Sequence, residues 1–387
     1  MAPASDLLYS DTERTLAAAL ADLLSARADS RDVLARTERP DTYDLDLWHM
    51  VAAEIGLAGL LIPEALGGAG ASYRELAAAA EGFGATVAPI PYLGSAAVAT
   101  ATLLSAARNA TGPSVSPAAA LLRKLASGEL TAVLAVPPGA LPGGPFPAGI
   151  RVAGTSAAGE TKLSGLIPAV ADALPADVLL IPAEGVPNAL YLVDATAPGL
   201  HRTPVLSLDM TRQVCDVSLD GAPARQVAVG EAAAAAVEAG LLAGACVLAA
   251  EQLGVAQRCL DMTVAYVKER RQFARQIGSF QAIKHRLADL WTTITLARAT
   301  SRYAAACLAD GDPDAPVAVA VAKSACGEAA VSAAQECVQL HGGIGFTWEH
   351  PAHLYLKRAK ASSVLFGTPA AHRTVLATLV NLPAPRA

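Results

Sequence analysis

The chain has 387 residues, a formal net charge of −6 and 53% hydrophobic residues. Alanine, a small residue and a strong helix former, dominates the apolar fraction. The most apolar stretch, Ala232–Ala250, is interrupted by Glu238, and no uninterrupted run reaches the ~18 apolar residues that a membrane span requires. Basic residues are scattered apart from Lys268–Arg275, which argues against a nucleic-acid-binding face and against a nucleic-acid partner.

The cysteines and the N-terminus indicate a cytoplasmic protein. None of the six cysteines forms a CxxC pair, so we expect buried, reduced thiols and assign no metal site. Met1–Ser10 lacks the basic and then apolar pattern of a signal peptide.

The first third of the chain is predicted to be helical. Apolar residues recur at helical spacing, and capping residues or turn signals bound most of the runs. The first predicted helix begins at Asp11. The following ones cover Asp44–Ile55, Ser72 to about Gly84, Ala96–Ala107 and Ser116–Gly128.

The pattern changes near Leu130 to short, often β-branched runs that Gly, Pro and Asp punctuate. These runs predict an antiparallel sandwich or barrel of about one hundred residues, within the usual domain size. The predicted strands are Thr131–Val136, Gly149–Ala153, Asp177–Ile181, Ala189–Val193, Arg212–Leu219 and Gln226–Val229.

From Glu231 the helical period returns. Three long patterns, about Glu231–Arg270, Phe280–Ala309 and Pro316–Leu340, and a shorter one from about Pro351 predict an antiparallel four-helix bundle. The sequence therefore predicts an α+β protein with an N-terminal helical domain over residues 1–129, a middle β domain over 130–230 and a C-terminal bundle over 231–387.

Three motifs in this order resemble those of the acyl-CoA dehydrogenases. Arg270–Gln281 resembles the family's R-x-Q-F-G-x-x-I-x-x-F-Q and departs from it at Ala274, where glycine is usual. Gln339–Thr347 resembles Q-x-x-G-G-x-G-Y-T, and Pro63–Gly68 matches P-E-x-x-G-G. The resemblance spans most of the chain and implies the family's fold, with FAD as cofactor and an acyl-CoA thioester as substrate.

In this family the arginine and the Q-x-x-G-G segment reach the FAD of a neighbouring subunit. Arginine recognises a pyrophosphate with a planar fork of donors, and paired glycines let the backbone approach a ligand closely. The resemblance therefore implies contacts with the adenine and pyrophosphate end of a partner's flavin from Arg270, Phe273, Gln281, Gln339, Gly342 and Gly343.

The family's catalytic base is missing. Its glutamate usually precedes a Gly-Thr pair late in the bundle, where this chain has Phe366 before Gly367. Some members place the glutamate on the first bundle helix, at the position of Gly244 here. Neither residue can remove a proton from an acyl thioester. Glu251 lies on the same helix face about two turns, roughly 10 Å, further on. We regard it as a weak candidate for the base and expect a partly buried carboxylate with a polar partner.

The chain's own flavin-ring site also departs from the family. Ala135–Ala140 carries two prolines, which lack N–H groups, where a T-E-x-x-x-G-S-like segment supplies donors. Ala169–Ala173 lacks the usual aromatic or hydroxyl residues. Since a closed homo-oligomer of such chains would have only incomplete sites, we expect a paralogous, base-bearing partner in an α2β2 assembly.

Gly345–His350 and Phe366–Pro369 look similar to the non-base subunits of two-subunit enzymes that act on bulky sterol side chains, which implies lipid or steroid catabolism. Two alternatives stay open. A homomeric flavoprotein with different chemistry would need its own ring site, and a non-enzymatic scaffolding subunit would have no use for pyrophosphate contacts. His285 and His341 lie close to the motifs, and we assign neither a role, because a lone helical histidine is more often structural.

Overall fold

The computed structural model describes residues 7–108, 116–155 and 160–383. It confirms the predicted α+β order of N-terminal helices, a central sheet and C-terminal helices. By compactness the chain forms two units. The first unit consists of the described parts of Met1–Asp41, Tyr73–Ala88 and Cys246–Ala387, and the second of Thr42–Ser72 and Pro89–Ala245. The boundaries of the three predicted domains stay a prediction.

Among the described residues before the sheet there are six α-helices, and two of them adjoin a π-helical segment, at Met50–Glu54 and at Leu93–Ala99. Ser10 caps the first helix in a capping box with Glu13. In chain order the helices are α1 Asp11–Arg27, α2 Ser30–Thr37, α3 Leu45–His49, α4 Tyr73–Thr86, α5 Thr100–Arg108 and α6 Pro117–Ala126.

Seven strands form the sheet of the second unit, in the spatial order β1-β4-β5-β7-β3-β2, with β6 also paired to β7. The β1–β4 pair is parallel and the other pairs are antiparallel. Alternate side chains of several strands form one buried apolar cluster, which includes Leu179, Tyr191 and Val217. The strands are β1 Ala132–Leu134, β2 Ile150–Thr155, β3 Thr161–Ala171, β4 Val178–Ala183, β5 Ala189–Asp194, β6 Leu200–Val205 and β7 Val214–Val229.

The C-terminal helices follow a tight hairpin and pack on one another. Within the first unit α8, α10 and α11 all contact α9, and α4 contacts α8. The elements are α7 Glu231–Glu269, a hairpin of β8 Arg271–Gln272 and β9 Arg275–Gln276, then α8 Gln281–Asp310, α9 Ala315–His341, a 3-10 helix Gly342–Phe346, α10 Ala352–Ser362 and α11 Pro369–Leu379.

Two glycines allow close packing of α4 on the C-terminal part of α7. A Cβ at Gly84 would collide with the carbonyl oxygen of Glu251, and a Cβ at Gly254 would collide with the carbonyl oxygen of Glu81. The backbones of the two helices are therefore in direct contact, and Glu251 lies at the point on α7 where α4 packs against it.

Two helical segments, Glu231–Glu269 and Ala315–Phe346, are long and apolar enough to span a membrane by length and composition. In each, 67% of the apolar window is buried inside the protein. The core helix of a helical bundle passes the same test, because its apolar surface faces other helices. All six cysteines are free and buried.

Candidate functional site

A cavity of about 740 Å³ opens where the hairpin, the first turn of α8 and the end of α9 meet. Pockets that bind small molecules commonly have volumes of roughly 300–1,000 Å³. The lining contains a guanidinium, an imidazole, side-chain amides and no carboxylate among the described residues. It consists of Tyr266, Arg270, Gln272, Phe273, Ile277, Phe280, Ala282, Ile283, Gln339, Leu340, His341, Gly342, Gly343 and Ile344.

The structure brings five of the six predicted cofactor-binding residues to this cavity: Arg270, Phe273, Gln339, Gly342 and Gly343. The sixth, Gln281, does not line it but opens α8 between two lining residues. The roles of these residues toward FAD stay predictions.

Arg270 leaves α7 at the point where the chain turns into the hairpin. Its backbone N–H donates to the Tyr266 carbonyl at 2.9 Å, and its carbonyl accepts from the Ile277 N–H at 2.9 Å. The guanidinium has no ion-pair partner among the described residues. An unpaired cation on a carboxylate-free cavity wall is suited to an anionic ligand.

The hairpin presents an aromatic side chain. Phe273 and Ala274 occupy its turn with φ values of 52° and 60°, as a two-residue type I′ turn requires. The Phe273 side chain is 87% exposed and meets Phe280 edge to face at 6.2 Å. The Arg275 guanidinium stacks over the Phe280 ring at 3.8 Å from its centroid. The turn therefore holds an aromatic ring out at the cavity edge.

Helix α8 directs its N-terminus at the same cavity. Its N-cap residue, Phe280, offers no side-chain hydrogen bond, and Ala282 and Ile283 of the first turn line the cavity wall. The first amide N–H groups of a helix lack intrahelical acceptors, and the helix dipole makes this end partly positive. A phosphate is a suitable ligand for such an end.

The two glycines after α9 differ in their structural requirements. Gly342 has φ 63° and ψ −138°, a conformation that is strained for a residue with a Cβ. Gly343 has no positive φ, and apart from its chain neighbours no described residue has a heavy atom within 4 Å of its Cβ position. The fold would therefore accept a larger residue at Gly343. A ligand that contacts the backbone there would be displaced by the larger side chain.

The usual base positions hold no carboxylate, as the sequence predicts. Gly244 is buried in the part of α7 that belongs to the second unit. Phe366 is 5% exposed and has φ 55°. Its turn is held by two buried side chains: Lys323 Nζ donates to the carbonyls of Ser362 at 3.1 Å and Gly367 at 3.3 Å, and His372 Nε2 donates to the Phe366 carbonyl at 2.8 Å.

Burial lowers the pKa of Lys323 to about 8. Burial also lowers the pKa of His372 to about 4, an effect that the Lys323 charge reinforces and the Phe366 carbonyl opposes, so His372 is neutral at pH 7.

Glu251 has the expected polar partner. Arg358 Nη1 donates to Glu251 Oε1 at 2.9 Å, and both residues are almost fully buried. The carboxylate is thus engaged inside the helical unit by a permanent cation, which is a structural role.

The region expected to hold the chain's own flavin ring lies in the second unit. Pro137 and Pro138 follow β1, and Pro137 accepts a turn hydrogen bond from the Ala140 N–H at 3.0 Å. The next turn is tied to α7, because the Gly143 N–H donates to the Glu238 carboxylate at 3.0 Å. Ala169, the first residue of the stretch Ala169–Ala173, has φ 52°. This segment has neither the ring nor the hydroxyl that the resemblance leads one to expect.

Sequence reasoning missed several residues of the cavity wall. Tyr266 lies one helical turn before Arg270, and this spacing could have identified it. Ile277 and Phe280 belong to the signature that matched, and His341 directly precedes the paired glycines. Each is an apolar or stacking neighbour of a residue that the motifs did identify.

Comparisons with known proteins agree with the motifs. A model of the acyl-CoA dehydrogenase N-terminal domain matches residues 10–129, and a model of the acyl-CoA dehydrogenase C-terminal domain matches residues 234–380. Acyl-CoA dehydrogenase IpdE2 of Mycobacterium tuberculosis is 35% identical over 350 residues, which cover 90% of this chain and 91% of the relative. IpdE2 of Mycolicibacterium smegmatis is 34% identical over 93% of this chain and 96% of the relative.

Solved structures show the same fold. A chain of the ChsE4-ChsE5 complex from Mycobacterium tuberculosis is 29% identical, has a TM-score of 0.84 and aligns over 98% of this chain and 100% of its own length. A variant of the Tcur3481-Tcur3483 steroid ACAD is 29% identical, with a TM-score of 0.81 over 96% of this chain and 98% of its own.

Proposed function

The chain belongs to the acyl-CoA dehydrogenase family, and we propose that it serves a heteromeric enzyme as the subunit that contributes to a partner's FAD site and carries no catalytic base. The observation that carries the proposal is the cavity shared by Arg270, Phe273, Gln339, Gly342 and Gly343. The names of two similar structures, the ChsE4-ChsE5 complex and the Tcur3481-Tcur3483 steroid ACAD, each join two proteins. That pairing supports a paralogous partner for this chain.

FAD fits the residues of the cavity. The unpaired Arg270 guanidinium and the amide groups that open α8 suit a pyrophosphate, and Phe273 offers a ring to an adenine. The absence of a side chain at Gly343 leaves space beside the backbone, although the packing of the fold does not require a glycine at this position. When bound, FAD supplies the hydride acceptor for α,β-dehydrogenation of an acyl-CoA thioester. This chain's residues bind and orient the cofactor's adenine and pyrophosphate end.

The proton step belongs to the partner. The α-proton of the thioester must pass to a positioned base, and neither Phe366 nor Gly244 can accept it. Glu251 is held by Arg358 at 2.9 Å inside the protein. A paralogous subunit with a glutamate at a family position would supply both the base and the flavin-ring site. We propose a steroid-type acyl chain as the substrate, in line with the steroid relative, and a cytoplasmic α2β2 assembly.

The proposal is tested by producing the chain alone and together with a base-bearing paralogue. We expect little bound flavin in the chain alone, and stoichiometric FAD and acyl-CoA turnover in the complex. In the complex, Arg270→Gln should weaken FAD binding about tenfold or more, because it removes charge-assisted hydrogen bonds. Arg271→Gln is the matched control, since Arg271 lies in the same hairpin but not on the cavity wall.

Two results would overturn the proposal. Stoichiometric FAD and turnover in the chain alone would favour a homomeric flavoprotein. A complex that assembles with full FAD occupancy despite Arg270→Gln would favour a scaffolding subunit.

A further inference from the structure

His341 is the one imidazole on the cavity wall among the described residues. It ends α9 directly before Gly342, and only 3% of its surface is exposed. Its ring stacks on Tyr266 with centroids 4.4 Å apart and planes 28° apart. The His350 ring lies 4.2 Å from it, centroid to centroid, at a tilt of 44°. The stack fixes the ring beside the same space that Arg270 lines.

The hydrogen bonds of His341 define its tautomer. Its Nδ1 lies 2.6 Å from the Cys337 carbonyl oxygen. A carbonyl oxygen only accepts, so Nδ1 carries the proton. The other nitrogen, Nε2, makes no hydrogen bond with any described residue. In the neutral ring Nε2 is an acceptor, and it becomes a donor only when the ring takes up a second proton.

Several titratable groups lie around His341. Cys337 on its own helix places Sγ 3.7 Å from Nδ1, and Cys259 of α7 lies next to that thiol. Tyr266 of α7 and Arg270, directly after α7, share the cavity. His350 accepts from the Ala352 N–H through Nδ1 at 3.3 Å.

Burial lowers the pKa of His341, while its contacts with Cys337 raise it, and the net shift is upward. Burial and the neighbouring His341 lower the pKa of His350. In this stack His341 is therefore the ring that takes the proton.

We propose that His341 is a further FAD-binding residue, whose Nε2–H donates to a phosphate oxygen of the dinucleotide, so that cofactor binding takes up a proton at this imidazole. The inference rests on the proposed function, because it requires a dinucleotide in the cavity. His341 and Arg270 then provide two cations for the pyrophosphate from different helices. Unlike the arginine, the histidine makes the affinity depend on pH near neutrality.

Calorimetric titration of the apo complex with FAD, in two buffers of different ionisation enthalpy, counts the protons taken up. Above the pKa of the free imidazole we expect uptake of close to one proton, and an FAD affinity that falls by as much as tenfold per pH unit. His341→Gln should abolish both the uptake and the pH dependence. His285→Gln, at an exposed histidine of α8 outside the cavity wall, is the matched control.

The wild-type proton count decides the matter even if the His341 variant fails to fold. Absence of proton uptake, or a His341→Gln complex with unchanged affinity and an unchanged pH profile, would overturn the role of His341. If Arg270→Gln weakens FAD binding in the same complex, that failure concerns His341 alone. If Arg270→Gln also has no effect, the proposed function itself is wrong.

Discussion

Arg358 Nη1 of α10 lies 2.9 Å from Glu251 Oε1 of α7. This ion pair is buried, because only 1% of Arg358 and 4% of Glu251 are exposed. Removal of one member of a buried pair leaves an uncompensated charge. The Glu251 carboxylate therefore joins α7 to α10 inside the first unit.

Arg358 should make Glu251 essential for stability and not for proton transfer. Glu251→Gln removes the carboxylate that pairs with Arg358 and should cost about 3 kcal/mol or more of unfolding free energy. FAD content and turnover per folded complex should not change. Chemical denaturation and a turnover assay check both. Arg14→Gln is the control, because it breaks the exposed pair with Asp11 and should change stability by less than ~1 kcal/mol. Abolished turnover in a folded Glu251→Gln variant would contradict the structural role of Glu251.

Ala274 should be replaceable by glycine with a gain in stability. It has φ 60°, a conformation that costs an L-residue roughly 1 kcal/mol and costs glycine almost nothing. Ala274→Gly should therefore raise the melting temperature. Ala299→Gly, in the exposed interior of α8, should lower it, because glycine destabilises a helix by about 1 kcal/mol. A decrease in both variants would mean that the hairpin is not strained.

Gly343 should separate folding from cofactor binding. Outside its own helical turn and chain neighbours, no described heavy atom lies within 4 Å of its Cβ position, so Gly343→Val should fold. Gly343 lines the cavity, so the valine should lower the FAD content of the complex. Thermal unfolding and flavin absorbance check the two effects. Gly139→Ala is the control at an equally open glycine in the second unit, and it should leave FAD unchanged. Full FAD occupancy in Gly343→Val would place the dinucleotide elsewhere.

Lys323 should make stability rise with pH in the alkaline range. Its pKa is about 8 in the folded chain and 10.5 in the unfolded one, so between these values the unfolded state binds more protons and unfolding becomes harder. The slope is up to about 1.4 kcal/mol per pH unit and vanishes below pH 8. Burial raises the pKa of thiols such as Cys246 to about 12, and their titration lowers stability with rising pH in every variant. The Lys323 slope should therefore appear in the difference in unfolding free energy between exposed Lys360→Met and Lys323→Met, measured by denaturation at several pH values. An unchanged slope in Lys323→Met would show that another group titrates.

The β region shows where sequence patterns are insufficient. We predicted two strands, Arg212–Leu219 and Gln226–Val229, but β7 is one strand from Val214 to Val229. Gly221 and Pro223 look like a turn, yet both lie inside the strand, where the pairing with β3 shifts register.

Two further strands were not predicted. Gly165 and Pro168 interrupt the pattern of β3, and β6 is largely exposed and carries a proline. These two segments form strands because they pair with neighbouring strands, and their own sequences do not show a regular strand pattern.

The cavity was easier to predict than the sheet. Arg270 and Gly343 lie far apart in the sequence, and only the family motifs suggested that they serve one ligand. Local patterns identified the ends of α8 and α9 within a few residues, which sufficed to place the motifs at helix termini. The tautomer of His341 and the open space at Gly343 depend on three-dimensional neighbours, so no pattern in the sequence could have given them.

The anchored turn at Phe366 bears on whether one substitution could give this chain a catalytic base. A codon change to glutamate there would bring a carboxylate into a closed loop whose carbonyls are already taken by Lys323 and His372. It would also leave Ala169 and the paired prolines unrepaired. Under the proposed function, a single substitution at Phe366 would therefore not replace the contribution of a base-bearing partner.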